Sequence, residues 1–324
     1  MSGSRSIFAA LAVLFLVPGC DRIGVGKPAA PVKQAEEAAA PAPEVGTLEW
    51  AAAGPWRLDP ERDRWRHPVE TLKFYGLAPG MTVVEVFPGR GWYTSILAPY
   101  LARNNGRLIA ASFDPSTATD AQKLTLDEFR ARFVDKPETF GVVAMSILTP
   151  RSAGVAASDS ADMVILSRNI HTLLGDGYTE KAFADFYKAL KPGGILGIEQ
   201  HRARSTGLQD PQASNGYVQE AFVKMLAEEV GFEFVGSSEI NANPRDDRDH
   251  PFGVWTLPPT LRTAPLGQDP DPRFDTAPYS AVGESDRMTL KFRKPGGLPP
   301  PGAEGATAPA TPPTTVAPDT GKKK

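Results

Sequence analysis

One short segment, residues 83–94, constrains the fold of this chain more than any other part of the sequence. It reads V-V-E-V-F-P-G-R-G-W-Y-T, an apolar run ending in a carboxylate, then a glycine turn, then the start of a helix. Such an apolar, β-branched run is typical of a strand buried in a parallel sheet. Gly89 and Gly91 let backbone amides approach a ligand closely, and a helix predicted to begin near Trp92 directs its N-terminus to the same place. The segment therefore predicts a cofactor-binding turn.

The spacing of this segment resembles the first motif of class I S-adenosylmethionine-dependent methyltransferases, an acidic residue followed by G-x-G-x-G. Glu85 matches the acid, and Gly89 and Gly91 match the last two glycines. Phe87 stands where the first glycine is usual, and the longer run is similar to a group of bacterial predicted methyltransferases. The resemblance implies S-adenosylmethionine as cofactor. Glu85 would anchor its methionine amino end, and the turn of Pro88, Gly89 and Gly91 would admit its carboxylate to backbone amides.

Apolar runs that alternate with helical patterns predict one sheet with helices on both faces. The turn L-K-P-G-G at residues 190–194 resembles the same class, and its predicted role is to end a helix before the fifth strand. An antiparallel last strand is the closing element that separates this class from nicotinamide-binding Rossmann domains. The expected fold is α/β, a Rossmann-like doubly wound sheet of about seven strands with a closing antiparallel strand, at 83–86, 107–115, 141–148, 161–166, 195–199, 232–238 and 287–293.

An acidic residue follows the second predicted strand. In dinucleotide and S-adenosylmethionine sites, an acid at this position binds the ribose hydroxyls through paired hydrogen bonds. Asp114 is the candidate, although it comes later after Gly106 than is usual, so that Ser112 is an alternative for the structural position. A plain turn or helix-capping aspartate is the alternative role of Asp114.

Polar residues also follow the fourth and fifth predicted strands. The run S-R-N-I-H-T after the fourth strand resembles the methyltransferase segment in which a polar or aromatic residue faces the transferred methyl. Asn169 and His171 are therefore the candidate catalytic residues, with a buried structural group as the alternative for His171. The same edge is reached by Glu199, Gln200 and His201. Two roles are open for these residues, contact with an acceptor and hydrogen bonds to the loops.

The segment before the first strand carries both signs of charge. Its run R-D-x-x-R-H-P resembles the lead-in of the predicted-methyltransferase group, and a helix at residues 68–75 is expected to cap the cofactor site. Arg62 and Arg66 are weak site candidates, with a solvated helix face as their alternative. For His67 the alternative is a polar cap before proline.

A long proline-rich connection, residues 241–286, departs from the minimal pattern of the class. It opens with N-P-x-D-D-R, which is similar to the same bacterial group, and its length makes it a candidate acceptor lid. Asp246, Asp247, Asp249 and His250 suggest a metal site, but their spacing is irregular. A solvated loop with Asp–Arg pairs is the favoured alternative, and no metal is predicted.

The two ends of the chain have the composition of export and tether segments. Residues 1–20 contain a basic residue, an apolar core and small residues before Cys20. The run V-P-G-C resembles the lipobox of bacterial lipoproteins, which implies a lipidated Cys20 that holds the protein at the periplasmic face of a membrane. An ordinary secretory signal or an uncleaved anchor is the alternative. Residues 21–46 and 295–324 predict a disordered tether and tail around a domain at 47–294.

Composition narrows the function further. The net charge of -3 provides no basic surface for nucleic acid, so a small-molecule substrate is expected. Cys20 is the only cysteine, which excludes disulfides and thiolate catalysis in the mature domain. An exported protein would meet little S-adenosylmethionine. The expected methyltransferase therefore competes with an inactive binding or scaffolding module of the cell envelope, and with a nicotinamide oxidoreductase.

Overall fold

The computed structural model describes residues 41–296. The predicted export signal at 1–20, most of the tether and nearly all of the tail lie outside these residues. Within them, one mixed sheet of seven strands has the order β3-β2-β1-β4-β5-β7-β6. Its strands are β1 Thr82–Val86, β2 Arg107–Ser112, β3 Val143–Ile147, β4 Ala161–Ser167, β5 Leu190–His201, β6 Glu233–Ser238 and β7 Arg287–Arg293.

The predicted fold class is confirmed by the direction and order of these strands. The first five strands run parallel, and β7 runs antiparallel between β5 and β6. The closing antiparallel element therefore occupies the position expected of a class I methyltransferase fold. The carboxyl ends of β1, β2, β4 and β5 meet at one edge of the sheet, and β7 begins there because His201 pairs with Arg287.

Helices cover both faces of the sheet. One buried cluster packs the first and fourth helices against β1 and β2, and the other packs the helices that flank β5 against β4, β5 and β7. Short 3₁₀ turns lie at Pro60–Arg62 and Gly253–Thr256. The α-helices are α1 Leu48–Ala53, α2 Asp63–Arg66, α3 Pro68–Tyr75, α4 Thr94–Arg103, α5 Asp120–Phe129, α6 Pro137–Phe140, α7 Ile170–Gly175, α8 Thr179–Ala189, α9 Glu220–Val230 and α10 Ala277–Val282.

Several predicted boundaries are corrected. The helix after the glycine turn begins at Thr94 rather than near Trp92, because residues 89–93 form the turn itself. The second strand ends at Ser112, three residues early. The L-K-P-G-G segment does not simply end a helix. It belongs to β5. In the pairing of β5 with β4, Leu190 pairs with Ala161 and Ile195 with Met163, so Gly193 and Gly194 lie in the irregular stretch between these two pairs.

The long connection between β6 and β7 packs against the carboxyl edge. Asn241 donates to the hydroxyls of Thr71 and Thr289, and Asn243 donates to the carbonyls of Val282 and Glu284. These contacts join the beginning of the connection to its end. Within residues 41–296, no helix combines the length and apolarity that crossing a membrane requires.

Candidate functional site

Glu85 occupies the fourth position of β1 and is buried, with 5% of its surface exposed. Its Oε2 accepts a hydrogen bond of 2.6 Å from the Thr94 hydroxyl, at the start of α4. Burial disfavours the ionised form and raises the pKa of Glu85 to about 7, against an ordinary value of 4.5. The carboxylate therefore changes charge in the physiological range, at the point where strand and glycine turn meet.

The raised pKa of Glu85 predicts a pH-dependent stability. The folded state binds the Glu85 proton more tightly than the unfolded chain, so this stabilisation is complete below pH 4.5 and is lost as the pH rises through about 7. We expect the unfolding free energy of the wild type to fall by about 3 kcal/mol relative to Glu85→Gln between pH 4.5 and 8. Urea unfolding of both proteins at several pH values measures this difference, and a constant difference contradicts it.

Gly89 and Gly91 have different roles. Both have a positive φ, but a Cβ at Gly89 would meet no atom within 4 Å, whereas one at Gly91 would lie 2.1 Å from the Phe133 ring. Pro88 completes the turn, since its carbonyl accepts a hydrogen bond from the Gly91 amide at 2.9 Å. Gly91 is therefore required by packing, and the open face of the turn lies at Gly89.

Phe87 departs from the glycine motif without closing the turn. Its φ is +46°, its amide donates to the Ala111 carbonyl, and its ring stacks on Phe113 with centroids 5.2 Å apart. Asn169 donates from Nδ2 to the carbonyls of Phe87 at 3.3 Å and of Ser167 at 2.8 Å. The amide nitrogen of this predicted catalytic residue thus joins the glycine turn to the end of β4.

Asp114 lies two residues beyond the end of β2, and Ser112 holds the last strand position. The Asp114 Oδ1 accepts hydrogen bonds from the amide and hydroxyl of Ser116, and these hydrogen bonds lower the pKa of Asp114. Asp114 therefore makes the hydrogen bonds of a turn through Oδ1, while its Oδ2 makes no hydrogen bond within residues 41–296. It also lines a cavity of about 210 Å³ with Phe113, Thr117, Ala118, Gln122, Leu148, Thr149, Pro150, Asp176 and Tyr178.

His171 lies on α7 and contacts Gln200 of β5. The Gln200 amide is oriented by its neighbours, because Oε1 accepts from the Ile170 amide and Nε2 donates to the Gly216 carbonyl. Gln200 Nε2 therefore donates to His171 Nδ1, at 3.2 Å, and the remaining proton of the neutral imidazole is on Nε2. Burial lowers the pKa of His171 to about 4, so this ring stays neutral at physiological pH and presents a hydrogen-bond donor.

A buried network of ion pairs lies beside these residues. We call it the arginine–glutamate network, and it consists of Arg62, Arg66, Arg168, Arg287, Glu199 and Glu284. Glu199 Oε1 lies 3.3 Å from Arg168 Nη1 and 2.9 Å from Arg287 Nε, although the latter pair is not aligned as a hydrogen bond. Glu284 accepts hydrogen bonds of 2.7–2.8 Å from Arg62, Arg66 and Arg287.

The network corrects the interpretation of the charged lead-in segment. Arg66 is 4% exposed and pairs with Glu284, so it is not part of a solvated helix face. Arg62 is also half-buried against Glu284. His67 has φ +35° and precedes α3, but its side chain makes no cap hydrogen bond. Both arginines therefore belong to the carboxyl edge of the sheet, where the long connection ends.

Asp246 is a structural residue of the long connection. Asp246 is 1% exposed, and its oxygens accept from the Tyr217 hydroxyl, the Arg248 and Asp286 amides and His250 Nε2. Oxygens of Asp246 and Asp247 and a nitrogen of His250 lie within 4.8 Å of one another. Because protein donors already occupy the Asp246 carboxylate, this group is better suited to holding the connection than to binding a cation. The expectation of a solvated loop is corrected for Asp246.

Sequence reasoning missed Arg168, Glu284 and Arg287. Glu199 offered a signal, because a carboxylate within an apolar strand requires a buried cation, and Arg287 opens the predicted antiparallel last strand, which the structure pairs with β5. Arg168 has φ +55°, which no sequence pattern indicated. The partnership of Glu284 with Arg62 and Arg66 joins residues more than 200 positions apart, which local patterns do not detect.

No protein-family model matches this chain, and no curated protein matches it. Solved structures with a likeness to it include a SAM-dependent methyltransferase from Aquifex aeolicus, 21% identical, covering 56% of this chain and 88% of that one, with a TM-score of 0.43. The cyclase SpnF is 15% identical, covering 76% and 86%, with a TM-score of 0.49.

A third likeness is to phosphoethanolamine N-methyltransferase 2 of Haemonchus contortus, solved in complex with S-adenosyl-L-methionine. It is 16% identical and covers 71% of this chain and 53% of that one, with a TM-score of 0.45. Likenesses at this level concern the fold at most, and they include a cyclase besides methyltransferases. The fold assignment therefore rests on the strand order and the antiparallel β7 of this chain itself.

Proposed function

We propose that this chain binds S-adenosylmethionine at the carboxyl edge of its sheet and transfers the methyl group to a small-molecule acceptor. One observation carries the proposal. The turn after β1 leaves open space at Gly89, directly beyond a buried acid of β1, at the edge where ligands bind in doubly wound sheets. The closing antiparallel strand favours this function over a nicotinamide oxidoreductase.

The residues around the turn fit the proposed cofactor. Glu85 is buried with a single hydroxyl donor, and the cavity beside Asp114 lies next to the end of β2. Its 210 Å³ is smaller than the pockets of about 300 Å³ and above that enclose whole small molecules, so it suits part of a ligand. Trp92 does not fill it, because its ring lies under Arg57 and Arg66.

The chain's own residues would act by binding and orientation. When bound, S-adenosylmethionine supplies a methyl group on an activated sulfonium, so that positioning and desolvation matter more than acid chemistry. Glu85 would bind the methionine amino group, Gly89 would expose backbone amides, and the Asp114 Oδ2 would accept from the ribose hydroxyls. His171 would orient the acceptor by donating a hydrogen bond from Nε2. In this role it acts as a hydrogen-bond donor and not as a general base.

Titration calorimetry of the full chain with S-adenosylmethionine and S-adenosylhomocysteine tests the proposal. We expect binding near micromolar, about -8 kcal/mol, and an affinity at least tenfold lower for Gly89→Ala, because the new Cβ enters the space that the ligand requires. Gly80→Ala is the matched control. Gly80 also has a positive φ and open space around it, but it precedes β1 at the opposite edge.

Each substitution should cost a similar strain of about 1 kcal/mol in stability, while only Gly89→Ala should lose the ligand. The absence of binding to the folded wild type would reject the proposal. It would favour the inactive module, which two contacts support. The Asn169 amide nitrogen is bound to backbone carbonyls, and His171 Nδ1 is bound to Gln200, so both predicted catalytic residues also serve the fold.

We further propose that the protein is an exported lipoprotein attached through Cys20 to the periplasmic face of a membrane. The apolar core of residues 7–17 and the V-P-G-C sequence that ends at Cys20 support this proposal. Palmitate labelling and membrane fractionation of the wild type and Cys20→Ala test it, and an unlabelled wild type contradicts it.

A further inference from the structure

The arginine–glutamate network carries more positive than negative charge. Four guanidinium groups share two carboxylates, Glu199 and Glu284, which leaves a formal excess of two positive charges. The side chains of Arg66 and Arg287 are 5% and 2% exposed, so water compensates little of the charge on these two residues. Glu85 lies near Arg168 but, even when ionised, cancels only one charge. A buried excess of this kind is costly unless an anion pairs with it.

Three of the four arginines keep donors that make no hydrogen bond within residues 41–296; of these, Arg66 is almost fully buried, whereas Arg168 and Arg62 are more exposed. Arg168 hydrogen-bonds Glu199 through Nη1 only, and its Nε and Nη2 make no hydrogen bond to any residue of 41–296. Arg62 bonds Glu284 through Nε only, over the same range. Their side chains are 20% and 18% exposed, so the free donors reach solvent. Arg287, in contrast, hydrogen-bonds Glu284 and the Trp65 carbonyl through its two Nη atoms, and its Nε lies 2.9 Å from Glu199 Oε1 without an aligned hydrogen bond.

The position of Arg168 is fixed by the backbone. It has φ +55° between Ser167 and Asn169, and its amide donates to the Glu199 carbonyl at 2.6 Å. A left-handed conformation at a non-glycine residue is uncommon and marks functional sites more often than other places. The side chain starts at the end of β4, where an acceptor would lie next to Asn169 and His171.

We propose that Arg168 binds the carboxylate group of the acceptor, with Arg62 contributing through the charge of the shared network. The proposal rests on the proposed methyl transfer and adds to it the substrate class, a small carboxylic acid. Free Nε and Nη2 atoms on one planar guanidinium match the two oxygens of a carboxylate, and the anion would reduce the excess charge of the network. Arg168 could instead bind the carboxylate of the cofactor itself, and the experiment distinguishes the carboxylate of the acceptor from that of the cofactor.

Calorimetry with benzoate and its neutral isostere benzamide tests the proposal on the full chain saturated with S-adenosylhomocysteine. We expect benzoate to bind at least tenfold more tightly than benzamide. Arg168→Gln should lower the benzoate affinity at least tenfold and leave the S-adenosylhomocysteine affinity within threefold. Arg62→Gln should lower the benzoate affinity less. Arg64→Gln, on the exposed side of α2, is the matched control and should change neither affinity.

Equal affinities for benzoate and benzamide, or no benzoate binding, would overturn the proposal. A tenfold loss of S-adenosylhomocysteine affinity in Arg168→Gln would also overturn it, because the bound carboxylate would then belong to the cofactor. Thermal unfolding of each variant shows that it is folded. The same titration without S-adenosylhomocysteine separates this proposal from the proposed function: Arg168-dependent benzoate binding by a chain that binds no cofactor would retain the carboxylate site and reject methyl transfer.

Discussion

Glu199→Gln is expected to lower the free energy of unfolding by about 3–5 kcal/mol, the cost of breaking a buried ion pair from one side. Glu199 is fully buried, and the Arg287 side chain beside it is 2% exposed. Without the carboxylate, Arg168 and Arg287 would keep only Glu284 and, when it is ionised, Glu85 as nearby counter-charges, and the excess positive charge of the network would increase. Urea unfolding at neutral pH measures the effect.

Glu233→Gln is the matched control for this prediction. Glu233 is also a strand residue paired with an arginine of β7, because its Oε2 lies 2.7 Å from Arg293 Nη2. The two side chains are 50% and 40% exposed, so solvent screens the pair and its loss should cost less than about 1 kcal/mol. If Glu199→Gln and Glu233→Gln lose the same small amount of unfolding free energy, the buried network stabilises the fold no more than an exposed ion pair does.

Gly91→Ala is expected to cost about 2–4 kcal/mol of unfolding free energy, more than Gly89→Ala in the same turn. The new methyl would lie 2.1 Å from the ring of Phe133, which is fully buried, and φ is +86°. Overpacking of this kind costs about 1–3 kcal/mol, and the left-handed backbone adds about 1 kcal/mol. At Gly89 and Gly80 only the backbone contribution applies.

A double variant identifies the cause of the Gly91 effect. If the methyl and the ring compete for one space, Gly91→Ala combined with Phe133→Leu should be more stable than the sum of the single effects predicts, by about 1–2 kcal/mol. Additive costs would show that the backbone conformation alone explains the effect. The comparison separates a glycine required by packing from one that leaves space for a ligand.

The strands were predictable because their sequences carry an unambiguous periodicity. The runs at β1 and β4 are mainly apolar, whereas β7 alternates polar residues with Met288, Leu290 and Phe292, and β7 was predicted with its observed bounds. Boundaries at turns were less predictable. The irregular pairing between Leu190 and Ile195 and the late start of α4 depend on contacts between strands and within the turn, which no local pattern contains.

The candidate site was predictable only in part. Glu85 lies near the end of a strand and Gly89 and Asp114 lie shortly after strand ends, so the direction of the strands was sufficient to place them at one edge. The roles of Asn169 and His171 depend on side-chain partners from β1 and β5 and could not be derived from spacing. Arg168 was missed for a similar reason, since its importance comes from a backbone conformation and from the burial of Glu199.

The position of β7 has a consequence for synthesis of the protein. β7 is the last strand within residues 41–296, yet it lies inside the sheet between β5 and β6. A nascent chain therefore exposes one edge of β5 and one edge of β6 until residue 293 has emerged from the ribosome. Until then Glu199 also lacks its ion-pair partner Arg287. The carboxyl edge is thus assembled after translation of the domain is complete, and a chain truncated before β7 would contain every residue of the glycine turn without a finished site.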